Sequence, residues 1–230
     1  MYKILTMMGL GFILLTSEVT AAERSSEVKI AKSDGFYAGV GGGFSLGGVV
    51  LSNSTYISDG TYNYNVGTMS DTSAGYILFG GYQFNKIIAV EASFTDYGSF
   101  SDSVSILNTS SRATFTSDPI SGAVYANAGY TFESGWRPFG QLGLGYMVSN
   151  ASTNLSRLDD FSDDFVTMHY GVGVEYAPAS FNGFGLRLAF SGDMTMEYNV
   201  IAVDSSGNIV EDAFMMRLYE LVYFGAQYKF

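Results

Sequence analysis

The stretch Ile87–Thr95, IIAVEASFT, decides how this chain folds. Ile88, Val90, Ala92 and Phe94 fall on one side of a period-two alternation, and Ala89, Glu91, Ser93 and Thr95 fall on the other. Successive strand side chains point to opposite faces, so the stretch reads as a strand with one apolar and one polar face. Phe165–Tyr176, FVTMHYGVGVEY, repeats the pattern. There Val166, Met168, Tyr170, Val172, Val174 and Tyr176 oppose Thr167, His169, Gly171, Gly173 and Glu175. Leu142, Leu144, Tyr146 and Val148 likewise oppose Gln141, Gly143 and Gly145.

Working outward, the alternation predicts eight strands, near 35–48, 71–84, 87–99, 118–132, 137–149, 164–177, 184–197 and 213–230. The connections alternate in length. Those at 85–86, 133–136 and 178–183 are short, while 49–70, 100–117, 150–163 and 198–212 are long and rich in Ser, Asn, Asp, Thr and Gly. Short turns on one side and long loops on the other are the pattern of an outer-membrane barrel. An even strand number puts both termini at the short-turn, periplasmic end. The expected fold is all-β, an eight-stranded antiparallel up-and-down transmembrane β-barrel over 35–230.

An eight-stranded ring encloses only enough room for side chains to fill it. The large Phe, Tyr, Leu, Val and Met residues of the apolar face are therefore expected to meet lipid. Gly, Ser, Thr, Ala, Gln and a few charges are left for the lumen. Tyr82, Phe84, Tyr130, Phe132, Tyr176, Phe184, Tyr228 and Phe230 share outward parity beside the short turns, as an interfacial aromatic girdle would. Phe44, Tyr76, Phe94 and Tyr146 are placed for an outer girdle. Glu220 breaks the pattern with outward parity. Either a bulge over 215–219 turns it inward or it sits at the outer rim.

Composition agrees. Charged residues are 14% of the chain and aromatics 16%, against about a quarter charged in a soluble domain. A net charge of −11 argues against a nucleic-acid partner. The absence of cysteine excludes a disulfide scaffold, thiol chemistry and a lipid-anchored N-terminal Cys. Residues 1–22 read as a secretory signal peptide, with Lys3, an apolar run from Ile4 to Leu15, and small residues at Ala21 and Ala22. The run is too short for a membrane-spanning helix, which needs ~20 apolar residues. Residues 23–34 read as a periplasmic tail.

Taken in order, Phe36-Tyr37-Ala38-Gly39, Phe79-Gly80-Gly81-Tyr82-Gln83, Val90-Glu91, Gly129-Tyr130, Gly171–Ala177, Leu186-Arg187-Leu188 and Gln227-Tyr228-Lys229-Phe230 resemble the membrane domain of the outer membrane protein A family. The resemblance spans roughly the whole mature chain. It implies that Phe224, Tyr228 and Phe230 act as the signal read by the outer-membrane assembly machinery. It also implies that Glu91, Glu175 and Arg187 form a lumen ion-pair network that plugs or gates the barrel. Asn127 stands where the family offers a lysine, so an excess of negative charge is expected. The peptidoglycan-binding domain of larger members has no counterpart after Phe230, so no cell-wall tether is carried over.

Other candidates carry less. Arg217, Asp193 and Tyr219 are placed for a second lumen cluster nearer the outer rim. His169, the single histidine, has lumen parity and no partner visible in sequence, so no catalytic residue is assigned. Gly39–Gly43 looks like a phosphate loop, but Phe44 takes the place of the last glycine a GxGxxG requires, and no helix follows. No metal site or cofactor is expected. Asp159, Asp160, Asp163 and Asp164 read as a solvated loop, as do the Asn-x-Ser/Thr matches at Asn53, Asn108, Asn150 and Asn154. Three functions fit: a structural and surface-interaction barrel, a small low-conductance pore, or a lipid-modifying enzyme. The first is favoured, as a monomer in the bilayer with lipopolysaccharide and host or phage ligands as partners.

Overall fold

The computed structural model describes residues 33–52, 56–58, 63–65, 70–105, 112–153, 161–203 and 209–230. The proposed signal peptide and most of the proposed tail lie outside these residues, as do Asn53, Asn108, Asn154, Asp159 and Asp160. The wall runs β1 (Gly35–Ser52), β4 (Ser70–Gln83), β5 (Ile88–Asp96) continued by β6 (Phe100–Ser105), β7 (Arg112–Gly129), β8 (Trp136–Thr153), β9 (Phe161–Tyr176), β10 (Phe184–Val203) and β11 (Ile209–Lys229). Consecutive wall strands pair antiparallel, and β11 returns to pair with β1 from Tyr37↔Lys229 to Ser52↔Met215. The sheet thus closes as an eight-stranded antiparallel barrel. A short hairpin, β2 (Tyr56–Ser58) and β3 (Asn63–Asn65), stands at the loop end, where β2 joins β10 at Ala202 and Val203.

The short turns carry the chemistry their geometry needs. Asn85 Oδ1 accepts the backbone N–H groups of Ile87 and Ile88 at 2.8 and 3.0 Å. Gly135 has φ 89°, and the turn after the Ala179–Phe181 3₁₀ segment closes through Asn182 at φ 50° and Gly183 at φ 96°. These left-handed positions suit Gly and Asn.

At the loop end several strands run further than apolar alternation indicated. Residues within 100–117, 150–163 and 198–212, expected as loops, continue as β6, β7, β8, β9, β10 and β11. Asp163, Asp164 and Asn150 accordingly lie in strands rather than loops. Where a ribbon leaves the bilayer neither face needs to be apolar, so the alternation fades while the backbone ladder persists.

The outward parity is as expected. Phe44, Leu78, Leu142, Leu144, Val166, Val172, Leu188 and Phe224 are all exposed. At the turn end rings touch edge to face along the girdle: Phe36–Tyr82 at 4.7 Å, Tyr82–Phe84 at 5.1 Å, Tyr130–Phe132 at 4.9 Å, and Phe184–Tyr228 and Tyr228–Phe230 at 5.0 and 5.1 Å. Glu220 stays on the outer face. The β10–β11 register is regular from Met215 to Tyr228, and the irregularity against β1 falls between Val49 and Leu51. The Tyr170 hydroxyl reaches across Gly192 and donates to Glu220 Oε1 at 2.7 Å, which gives the outward carboxylate a polar partner.

The lumen holds the tyrosines whose parity points inward, Tyr125, Tyr219 and Tyr223, together with further large apolar side chains. Tyr37, Ile77, Phe79, Tyr97, Phe100, Phe139, Met147, Tyr219, Leu221 and Tyr223 are buried inside it. Glycines on neighbouring strands make the room. A β-carbon on Gly173 would lie 2.6 Å from the Phe139 ring, and one on Gly47 2.9 Å from the Phe100 ring. Gly39 stands in the same relation to Phe79, and Gly41 to Tyr223.

Between the pairs Asp96↔Ile120 and Phe100↔Ser117 lie three residues on one strand, 97–99, and two on the other, 118–119. This is a bulge. It contains Gly98 at φ 75° and faces Pro119, whose carbonyl accepts the Tyr97 N–H at 3.1 Å. The extra residue turns both Tyr97 and Phe100 inward, where their rings pack on Tyr219 at 6.0 and 5.9 Å. With Met147 they fill the loop end of the lumen.

Candidate functional site

The turn half of the lumen holds charge. Arg187 faces inward because Leu186 and Leu188 face lipid. Its guanidinium forks onto Glu91, with Nη1 donating to Oε1 at 2.9 Å and Nη2 to Oε2 at 2.7 Å. Nη2 also donates to Glu175 Oε1 at 2.6 Å. All three residues are buried, Arg187 at 0% exposure. Glu91 accepts three more bonds, from Tyr37 Oη and Tyr125 Oη, both at 2.6 Å, and from Gln141 Nε2 at 2.9 Å. The Phe79 ring lies 3.9 Å under the Arg187 Cζ. Bidentate charge-assisted bonds of this kind hold both position and orientation.

The expected excess of negative charge is not what these residues make. Arg137 Nη1 lies 3.6 Å from Glu175 Oε1, and its Nη2 donates to the Asn127 carbonyl at 3.3 Å. Arg137, Glu175 and Arg187 are direct cross-strand neighbours in one row. Two guanidiniums thus face two carboxylates, and the place expected of a lysine near Asn127 is served from the next strand. Arg137 shares the inward parity of Gln141 but stands before Pro138, ahead of the clear alternation. Its strand position alone could have revealed it.

The second expected cluster is rearranged. Asp193 takes bonds from Tyr97 Oη at 2.7 Å and Thr167 Oγ1 at 3.1 Å, and meets His169 Nδ1 at 3.1 Å. Tyr219 lies opposite Asp193 in register, and its ring packs on Tyr97. Arg217 lies one inward step nearer the loop end, opposite Thr195. His169, whose partner the sequence did not show, is thus a hydrogen-bonded lumen histidine beside Asp193. Its ring stacks on Tyr125 at 4.2 Å. The pair is 1% exposed, closed in on the loop side by Tyr97, Phe100, Met147 and Tyr219. Among the described residues no group of three His, Cys, Asp or Glu is arranged to hold a metal ion.

Phe224 and Tyr228 face outward on β11 at the seam with β1, and Phe230, just past the end of that strand, is exposed as well. The Phe230 N–H donates to the Phe36 carbonyl at 2.9 Å.

A closed antiparallel barrel with an apolar exterior, aromatic girdle and charged lumen defines a transmembrane barrel of the bacterial outer membrane. The chain belongs to the outer membrane protein beta-barrel domain family, whose profile matches residues 12–204. Among solved structures it is similar to the outer membrane protein OprG from Pseudomonas aeruginosa, at 14% identity and TM-score 0.53, over 88% of this chain and 99% of that one. It also matches Neisserial surface protein A at 16% identity and TM-score 0.46, over 85% and 97% of the two chains. A third match is Ail, the attachment invasion locus protein of Yersinia pestis, at 18% identity and TM-score 0.44, over 86% and 99%. At these identities the OprG likeness is one of fold. No curated protein matches the chain.

Proposed function

We propose that this protein is a plugged structural barrel that presents its long loops at the cell surface, with both termini in the periplasm. The observation that carries the reading is the Arg187 guanidinium, fully buried between Glu91 and Glu175. A charge in that position blocks the ring in the turn half of the lumen, and removing it would leave the buried Glu91 carboxylate without a counter-charge. The apolar layer of Tyr97, Phe100, Met147 and Tyr219 supports closure at the loop end. The same reading takes residues 1–22 as the export signal and Phe224, Tyr228 and Phe230 as the assembly signal. It takes the protein as a monomer among lipopolysaccharide, with host or phage ligands meeting the loops.

Conductance of the purified barrel in planar bilayers tests the plug. The expected result is no resolved channel events for the wild type, and events with cation preference for Arg187→Ala. A steady open conductance in the wild type would replace the plug with a small pore.

A further inference from the structure

At the loop end the wall parts between two neighbouring strands. β8 and β9 stay paired from Trp136↔Tyr176 to Ala151↔Phe161. β9 and β10 pair only from Leu186↔Tyr176 to Met194↔Met168. Beyond that point residues 161–167 of β9 pair with β8 alone among the described residues. β10 does not end there. It runs on with β11 as a ribbon to Val203↔Ile209, and its register shifts between Glu197 and Val200 and again between Val200 and Ala202. Irregularities of this kind bend a strand and add to its twist. The ribbon therefore leaves the line of the wall after Met194.

Two contacts give the direction it takes. β2 pairs with β10 through Ala202↔Ile57 and Val203↔Tyr56. It takes the edge of β10 that β9 takes lower down, since β11 holds the other edge. β3, paired with β2 from Tyr56↔Asn65 to Ser58↔Asn63, comes within 8 Å of β6 between Cα atoms. Counted around the ring from β1, the β5–β6 strand stands third and β10 seventh. Strands four places apart in a ring of eight face each other across it. The hairpin thus reaches from one side of the mouth to the opposite side.

We infer that the end of the β10–β11 ribbon and the β2–β3 hairpin form a hinged cover across the loop-end mouth of the barrel. The ladder that joins β2 to β10 is two residue pairs long. A ladder so short opens locally while the long ladders of the wall stay closed. Opening the cover needs only the release of β2 from β10. The cover stands in series with the Arg187 plug and the apolar layer of Tyr97, Phe100, Met147 and Tyr219. Its position rests on strand pairing alone, and only its effect on ion flow rests on the plugged-barrel reading.

The chain has no cysteine, so an introduced pair forms a single defined disulfide. Opposed Cα atoms of antiparallel strands lie about 4.5–5.5 Å apart, inside the range of about 4.4–6.8 Å that a disulfide needs. The Ile57→Cys, Ala202→Cys barrel, oxidised after folding in lipid vesicles, should lose both thiols to maleimide labelling. Ile57→Cys with Ser162→Cys, which offers the free β9 edge instead, should keep them. Equal yields in the two pairs, or a poor yield in the first, would overturn the cover. Adding Arg187→Ala to the 57–202 pair then tests occlusion in planar bilayers. Channel events should be absent from the oxidised barrel and return on reduction. Undiminished events with the disulfide closed would mean that the hairpin covers nothing. Replacing residues 56–65 with a short glycine-serine linker in the Arg187→Ala barrel separates cover from plug. Silence there counts against the plug, and the cross-link yields still decide the cover. Events there but none in the reduced barrel would mean a fixed cap and overturn the hinge.

Discussion

Arg187 is the largest of the fully buried side chains, and its energetic position is asymmetric. A buried ion pair gains little over a well-packed apolar one, but breaking it strands the partner charges. Arg187→Ala is expected to lower stability by ~3–5 kcal/mol, measured as the urea unfolding midpoint in micelles. Arg137→Ala should cost clearly less. Its ionic contact is longer, at 3.6 Å, and Arg187 remains bound to both carboxylates. Equal losses in the two variants would mean that Arg137 carries as much of the plug as Arg187. Glu91, Glu175 and Arg187 were legible from parity and from the family resemblance. Arg137 had inward parity within the expected strand 137–149 but did not stand out, because Phe139 and Gly140 break the apolar alternation beside it. The Asp193–His169 contact was not legible either. Both residues showed inward parity, but pairing across strands depends on register, which one strand's pattern does not contain.

Among the elements, the β5–β6 junction does the most with the fewest residues. Gly98 at φ 75° allows the extra residue that turns Tyr97 and Phe100 to the same side. Gly98→Ala is expected to destabilise the barrel. A left-handed non-glycine residue costs roughly 1–2 kcal/mol, and the new β-carbon would also crowd the Ala74 carbonyl and Ser73. Denaturant unfolding of the variant checks this, and an unshifted midpoint would mean that the bulge relaxes freely. The strand faces themselves are tested by charge. Leu188→Arg places a cation at a lipid-facing site and should cost ~2–4 kcal/mol if that site lies near the bilayer midplane. Folding yield in lipid vesicles reads the effect directly, and an unchanged yield would reverse the assignment of faces. The strands were legible within the bilayer, where one side must be apolar. Their loop-end extensions were hidden because nothing there enforces alternation. Tyr125, Tyr219 and Tyr223 were legible as lumen residues from parity, whereas the packing of the Phe79, Phe100 and Phe139 rings was not. The glycine that makes room for each ring lies on a different strand.

For the whole molecule, the class followed from eight alternating segments and the unequal connections, both visible without coordinates. Closure was an inference until β11 was seen to pair with β1 along its length. A closed ring has no edge to fray, so the folded protein should resist detergent at room temperature and migrate differently on a gel before and after boiling. Phe230 extends the outward series of Phe224 and Tyr228 at that seam. Deleting it is expected to reduce the amount reaching the outer membrane and to increase periplasmic degradation, scored by fractionation and immunoblotting. Normal levels after the deletion would remove Phe230 from the assembly signal.

The bond from Phe230 to Phe36 means that the first and last strands meet as ordinary neighbours. Geometrically, the wall has no beginning. A circular permutant, with the old ends joined by a short linker and new ones cut between 106 and 111, would retain every strand pair described above. It would also move the terminal phenylalanine into the middle of the polypeptide. Closing the wall and being delivered to it would then become separable properties, the first expected to survive in micelles and the second to fail in cells.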